Sequence, residues 1–478
     1  MQIPLEPGPV PLYRQIEHWL RQAITAGNLS PGTRLPSTRR LAEELAISRI
    51  TVENAYGELL AEGLVEGRGS GGTVVVERPS DLPRADPTRS RWQELTLARS
   101  GGPGTARLAP ADGAPDRIDL SGGLGDPRLF DLAAFSRALN TVRLRDGVDA
   151  FEYGDPQGYA PLRRVISGIL GAQGLAASPE SILVTAGSQQ AITLVASCLL
   201  KAGDTVLVER PTYNSALELF RVLGLNVVQV PLDGRGLRLD DAEQALVAHR
   251  PRLIYTMPTF HNPTGLSMDL GRRRGLLELA ARYDVPILED DFVGDLRFEG
   301  RGHPSLKALD RTGHVIYVST FSKMLLPGLR TGYLVLDGPV FGLLAEHKRL
   351  TDLASATLIQ RSLAEYVGVG RYQTHLKRSV RLYRRRRDAA AAALKAWAPE
   401  LVWNLPSGGH CLWLEAPSLG PEQDLAALAA SAGVRLAPGG AFFATPAAGN
   451  RFARLNFAAL DEDSVTEGIM RLGAVIPA

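Results

Sequence analysis

The sequence predicts an α/β protein. An N-terminal winged helix (α+β) is linked to a unit with a mostly parallel central sheet and a smaller C-terminal α+β domain. Three observations predict it. Residues 1–78 read as three amphipathic helices followed by a glycine-tipped hairpin. Residues 79–116 are rich in Pro, Gly, Ala, Arg and Asp without sustained periodicity. From residue 117 onward, short apolar strands alternate with helical patterns, as in a parallel sheet covered by helices.

Each element follows from its spacing. In LYRQIEHWLRQAITA (12–26), Leu12, Ile16, Leu20, Ala23 and Ile24 recur at helical intervals and mark one buried face. The turn GNLSPG separates it from two further helical patterns, 37–45 and 48–62. Ser48 is placed to cap the second of these, with Val52, Ala55, Leu59 and Leu60 as its buried side. LVEGRGSGGTVVV then reads as strand, glycine tip and Val-rich return strand. Residues 79–116 are too long for a structureless loop inside a compact domain and read as a flexible linker.

The strands of the following unit, 117–478, are SILVTAG, DTVLVERP, RLIYTMP, VPILEDD, HVIYVST and TGYLVL. Ligand groups belong at the carboxyl ends of such strands. The end of the chain, about 345–478, holds a basic helix (HLKRSVRLYRRRR) and a smaller α+β pattern.

Composition bounds the possibilities. At 478 residues, with roughly 150 per domain, about three folding units are expected. The chain is 45% hydrophobic and 22% charged, enough to build large cores. With 53 basic and 51 acidic side chains, bulk charge points to no polyanion or membrane. Residues 1–78 carry eight Arg, no Lys and nine Glu, so any DNA contact there is a local patch. Two cysteines, Cys198 and Cys411, build neither a disulfide framework nor a zinc site. They read as buried small hydrophobes in a reducing compartment, and no metal site is expected. No basic leader and no run of about 18 apolar residues appears, so a soluble, cytoplasmic protein is expected.

Arg49 and Thr51 open the third helix, the end that would enter a major groove. Arginine there can bind guanine or phosphate in bidentate fashion, and the helix N-terminus adds N–H groups for a phosphate. Arg39, one helix earlier, is placed for the DNA backbone, and Arg68 in the wing for a minor groove or phosphate. The pattern alone leaves open a small helical domain with solvated arginines. The run from LYRQIEHWL to VEGRGSGGTVV, however, resembles the GntR family of winged-helix regulators over its whole length. That resemblance implies a double-stranded DNA operator as partner, with Arg39, Arg49, Thr51 and Arg68 as contacts. The wing carries one glycine more than the commoner G-S-G-T form.

Further on, STFSKMLLPGLRTGY places Lys323 between hydroxyls, with Arg330 seven residues later. A lysine amine joins an aldehyde as a Schiff base, and pyridoxal 5'-phosphate (PLP) is the commonest such cofactor. PLP further needs a carboxylate for its ring nitrogen, donors for its phosphate, a stacking ring and a donor for its phenolic oxygen. Asp290 ends VPILED and can pair with the ring nitrogen. Gly187, Ser188 and Gln189 open a helix that suits a phosphate, joined by Thr320, Ser322 and Arg330. Tyr213 in ERPTY is the stacking ring and Asn262 in HNPTG the phenolic donor. Taken singly, Ser188 as a plain cap, Tyr213 as core and Asp290 or Asp291 as a strand-end turn stay open.

In this order, YGDPQGYAPLR, TAGSQQAI, ERPTY, HNPTG, LEDD, SKxxxPGLRxGY and RLNFA make residues 117–478 similar to fold type I PLP-dependent aminotransferases. The resemblance implies that Tyr153 reaches the phosphate of a neighbouring subunit, hence a homodimer, and that Arg454 binds a substrate or effector carboxylate. A winged helix fused to such a domain resembles the MocR subfamily of GntR regulators. Two departures stand out. Phe292 replaces a tyrosine frequent two residues after the aspartate, which removes a donor to the phenolic oxygen. Asn214 and Ser215 follow Tyr213 where a γ-aminobutyrate-sensing member has an arginine, so γ-aminobutyrate is not favoured. The resemblance thus implies a transcription regulator sensing an amino compound, or PLP itself. The alternative is an active aminotransferase with an appended DNA-binding domain.

Overall fold

The computed structural model describes residues 1, 3–76, 117–420 and 422–477. The chain forms two compact units, Met1–Pro103 and Gly104–Ala478. The expected linker, 79–116, lies outside the described residues.

The first unit holds α1 (Leu12–Thr25), α2 (Thr38–Leu45) and α3 (Arg49–Ala61), then the strands β1 (Val65–Gly67) and β2 (Thr73–Val75). Ser37 and Ser48 accept the backbone N–H groups of Arg40 and Thr51 at 3.3 and 3.2 Å, which starts α2 and α3. Ala46 ends α2 in the left-handed region (φ 51°) and turns the chain sharply into α3. Ile16, Leu20, Leu41, Val52, Ala55 and Leu59 form a dry centre. Two expected core residues face outward: Leu12 is 37% and Leu60 45% exposed. Leu60 lies 100° around the helix from Leu59, outside a stripe that Tyr56 fills instead, its hydroxyl donating to the Pro36 carbonyl at 2.9 Å. The hairpin pairs Val65 with Val75 and Gly67 with Thr73.

The second unit opens with β3 (Ile118–Asp119). Its central sheet contains β4 (Ile182–Thr185), β5 (Thr205–Arg210), β6 (Asn226–Asp233), β7 (Gly236–Leu237) and β8 (Leu253–Thr256). It is completed by β9 (Ile287–Asp290), β10 (Val315–Thr320) and β11 (Gly332–Val335). The spatial order is β4-β11-β10-β9-β8-β5-β6-β7. Neighbours β10, β9, β8, β5 and β6 run parallel, while β11 runs against both β10 and β4. Residues of β4, β8, β9 and β11 are buried throughout, because helices cover both faces. The six expected strands are all present. β6 was not among them, because Gln229 and Pro231 interrupt its apolar run.

The smaller sheet is antiparallel, built from β12 (Val402–Trp403), β13 (Cys411–Glu415), β15 (Ala437–Pro438) and β16 (Phe452–Asn456) in the order β12-β13-β16-β15. Between them β14 (Val434–Arg435) pairs with β3. The basic run lies in the long helix Arg371–Trp397 and is not wholly solvated. Arg386 and Arg387 are buried, Arg386 pairing with Asp126 and Arg387 with Glu299, at 2.8 and 2.7 Å. Cys411 is buried, but Cys198 only partly. Among the described residues no helix is long and apolar enough to cross a membrane, and no His, Cys, Asp or Glu cluster suits a metal.

Candidate functional site

The parallel strands β4, β5, β8, β9 and β10 end at one edge of the sheet, so the segments that follow them converge. Asp290, the last residue of β9, is buried. Its Oδ2 accepts from the Tyr255 hydroxyl at 2.8 Å, while Oδ1 has no hydrogen-bond partner. Burial pushes its carboxyl up to about 7, with the charge of Asp291 adding to the rise and Lys323 opposing it. Lys323 stands three residues beyond β10. Burial and then the Arg454 charge bring its amine down to about 8, against the pull of Asp290. That amine gives up its proton more readily than a solvated lysine does.

The turn around Lys323 is held from both sides. The Thr320 hydroxyl donates to the Thr331 carbonyl at 3.2 Å and accepts the Ser322 N–H at 3.1 Å. Ser322 itself is buried, its Oγ without a partner. Arg330, in the left-handed region at φ 44°, donates to the Ala186 carbonyl at 2.6 Å and ties this loop to the turn after β4. There Gly187 adopts φ 103°, open to glycine and strained for other residues. A Cβ on Gly332 would lie 2.6 Å from the Gly187 carbonyl carbon, so these two chains approach as only glycine allows. The helix Ser188–Leu199 starts at this point, and the Oε1 of Gln189 is buried without a partner.

Arg454, on β16, brings the smaller sheet to the same place. Its Nη1 donates to Asn262 Oδ1 at 2.8 Å and its Nη2 to the Ser121 carbonyl at 2.9 Å, while Nε is buried and unpartnered. Ser188, Tyr213, Asn262, Asp290, Phe292, Lys323 and Arg454 all line one cavity of about 390 Å³. Burial raises the Tyr213 hydroxyl above its usual pKa. Phe292 is partly buried and packs against two of the apolar cores. Gly187, Gln189, Thr320, Ser322 and Arg330 are not among the residues that line the cavity. Tyr153 stands apart from it, 81% exposed.

Sequence reasoning missed four contributors. Tyr255 was absorbed into an apolar strand, yet it fixes Asp290. Ser121 and Gly122, in LSGGLGDP, supply carbonyls to Arg454. His410 lines the cavity with both ring nitrogens unpartnered. The signal for it was a histidine set between two glycines and the apolar run of β13.

In the first unit, Arg39, Arg49 and Arg68 are exposed. Arg49 pairs with Glu53 at 2.7 Å and Arg68 with Glu66, and the hydroxyls of Thr51 and Ser48 lie 2.9 Å apart. Ile50, unnoticed in the sequence, is 67% exposed between Arg49 and Thr51, where an apolar side chain can meet a thymine methyl.

PLP asks for an anion, hydroxyl and N–H donors, an amine and an uncrowded phosphate loop. The unpartnered buried Asp290 Oδ1 and Ser322 Oγ, the Lys323 amine and the Gly187–Gly332 approach fit those needs.

Residues 12–75 match the family of bacterial regulatory proteins, gntR family, and residues 121–472 match aminotransferase class I and II. The HTH-type transcriptional regulator TauR of Rhodobacter capsulatus is 33% identical over 475 residues, spanning 96% of each chain. The probable rhizopine catabolism regulatory protein MocR of Rhizobium meliloti is 32% identical, over 97% of this chain and 93% of its own. The chain belongs to the MocR-type GntR regulators. Like them, this MocR-type chain joins a DNA-binding winged helix to an aminotransferase-like domain. The second unit of the regulator is also similar to a solved structure, LysN, the α-aminoadipate aminotransferase of Thermus thermophilus, complexed with N-(5'-phosphopyridoxyl)-L-leucine. That likeness has a TM-score of 0.71 at 34% identity and covers 76% of this chain and 92% of LysN.

Proposed function

We propose that this MocR-type regulator is a cytoplasmic homodimer that senses an amino compound through PLP held at Lys323. In this reading residues 1–78 read an operator, 79–116 join the two functions and 117–478 sense. One observation carries it: a buried amine and a buried unpartnered carboxylate oxygen line a single cavity, with a buried unpartnered hydroxyl on the residue just before the amine, in a chain that also holds a winged helix. When bound, PLP supplies an aldehyde that condenses with amines and a ring that withdraws electrons.

The chain's own residues do the rest. Asp290, which burial leaves ready to take a proton, regains its charge opposite a protonated ring nitrogen. Ser188, Ser322 and the N–H groups at the start of Ser188–Leu199 hold a phosphate. Asn262, its Oδ1 already taken by Arg454, offers its NH₂ to the phenolic oxygen. Lys323 holds the cofactor and yields to an incoming amine. Arg454 grips a carboxylate starting from its unpartnered Nε, and a shift of the guanidinium toward that ligand exchanges its bonds to Asn262 and Ser121. That exchange is the local event able to bias the smaller domain between two positions, and through it the DNA affinity.

The intact cofactor cradle and Arg454 also favour a second reading, an active aminotransferase. Amino acids added to the PLP-loaded protein separate the two. A sensor shows a spectral change that reverses when the amino acid is removed, with PLP recovered as such. Lasting transfer of the amino group to the cofactor establishes the enzyme, and no spectral change with any amine defeats the sensor.

A further inference from the structure

We propose that His410 selects the effector. Its imidazole is the hydrogen-bonding wall against which the effector's side chain is read. The effector is therefore an amino acid with a polar tail (hydroxyl, amide or carboxylate), not an aliphatic or plain aromatic one. This rests on the sensor reading above.

His410 is placed rigidly. It lies between Gly409, at φ 82°, and the first residue of β13, and its carbonyl accepts the Phe457 N–H at 3.1 Å. It is thus fixed to the chain just past β16, the strand that carries Arg454. The ring is 4% exposed and lines the cavity together with Lys323 and Arg454. Its edge-on neighbour, Tyr383, lies 5.4 Å away between centroids and turns its hydroxyl to the Asp126 N–H at 2.9 Å.

Two other buried histidines show what a merely structural imidazole does in this fold. His375 reaches the Met324 carbonyl at 2.6 Å, and His261 Nδ1 meets Thr264 Oγ1 at 2.8 Å. Neither nitrogen of His410 has any partner. Burial and the cations Lys323 and Arg454 keep the ring neutral, down to about 3, so it offers one donor and one acceptor. An aliphatic tail would seal both off unsatisfied, which a buried polar group resists. A polar tail satisfies at least one. The remaining charged groups of the cavity already have duties: Asp290 and Lys323 toward the cofactor, Arg454 toward a carboxylate.

The test uses full-length PLP-loaded protein and amino acids paired by shape: tyrosine with phenylalanine, glutamine with methionine, asparagine with leucine. Each is titrated against the visible absorption of the bound cofactor in wild type, His410→Met and His410→Gln, with cofactor content measured separately for each protein. The wild type should bind the polar member of at least one pair about tenfold or more tightly than its apolar partner. His410→Met should bring that ratio toward one or invert it, and His410→Gln should retain it. Preference for the apolar member in every pair, or a ratio unchanged in His410→Met, overturns the assignment while leaving the sensor reading intact. A wild type without any cofactor band removes both.

Discussion

Arg454 Nη1 and Asn262 Oδ1 lie 2.8 Å apart, so a strand of the smaller sheet holds the loop that follows β8 of the larger one. In the proposed reading, the residue that meets a carboxylate and the residue that meets the phenolic oxygen are thus joined before any ligand arrives. An effector carboxylate that draws Arg454 away changes what Asn262 can offer the cofactor. The proposed sensing role would couple effector binding to the cofactor spectrum through this bond.

The cofactor linkage itself is the first expectation. Lys323 has the lowered amine expected of a nucleophilic lysine, brought down to about 8 by burial. The purified protein should be yellow, and borohydride should fix the cofactor to Lys323, seen as a modified peptide by mass spectrometry. Lys323→Ala should lose both colour and fixed label. A label that survives in the variant places the linkage elsewhere.

Asp290 gives a pH-dependent expectation for the cofactor-free protein. Its carboxyl is raised in the fold, to about 7 from 3.8. Between those values the native state holds the proton more tightly than the unfolded chain, so stability from this group is full at low pH. It is lost as pH rises through about 7. Asp290→Asn removes the ionisation while keeping an oxygen for the Tyr255 hydroxyl. The variant should gain stability over wild type at pH 8, on the order of 1–3 kcal/mol, and nothing at pH 4. It should also bind PLP more weakly. Urea unfolding of both cofactor-free proteins at the two pH values checks this, and a gain independent of pH would count against it.

How far such residues were legible in the sequence depends on what makes them functional. Lys323, Asp290 and Asn262 stand at strand ends within tight local motifs, and the short-range pattern carries their placement. The strands were legible because two covered faces force continuous apolar runs, as in ILVT and LIYT. His410 and Tyr255 were not, because each matters only through a neighbour distant in sequence, and Tyr255 reads as ordinary strand. Leu60 misled because helical spacing alone does not say how wide the buried stripe is. Tyr56, a bulkier residue one turn earlier, filled the place.

The recognition helix supplies the next expectation. Arg49 is exposed at the start of α3 and tethered by Glu53, one turn on, which aims the guanidinium without burying it. Arg49→Ala should weaken operator binding by roughly 1–3 kcal/mol if the arginine contacts a base in bidentate fashion. PLP content should not change. Fluorescence anisotropy with operator DNA at fixed salt measures the effect, and equal affinities would remove Arg49 from the interface.

Assembly is the last expectation, and Tyr153 decides it. A tyrosine that is 81% exposed on a single chain, outside the cavity, serves the cofactor only if a second chain comes to meet it. A dimer should therefore exist without DNA, and two winged helices per dimer imply an operator with two half-sites. Tyr153→Phe should weaken PLP binding by about 1–2 kcal/mol through loss of one hydrogen bond to a charged phosphate, while Lys323 remains reactive. Complementation makes the argument specific. A Tyr153→Phe chain contributes Lys323, and a Lys323→Ala chain contributes Tyr153, so each mixed dimer holds one wild-type pair. Mixing the two variants should restore tight PLP binding at up to one site per heterodimer, measured by dialysis at limiting PLP. If light scattering shows a monomer that binds PLP fully, or if mixing restores nothing, Tyr153 does not act across subunits.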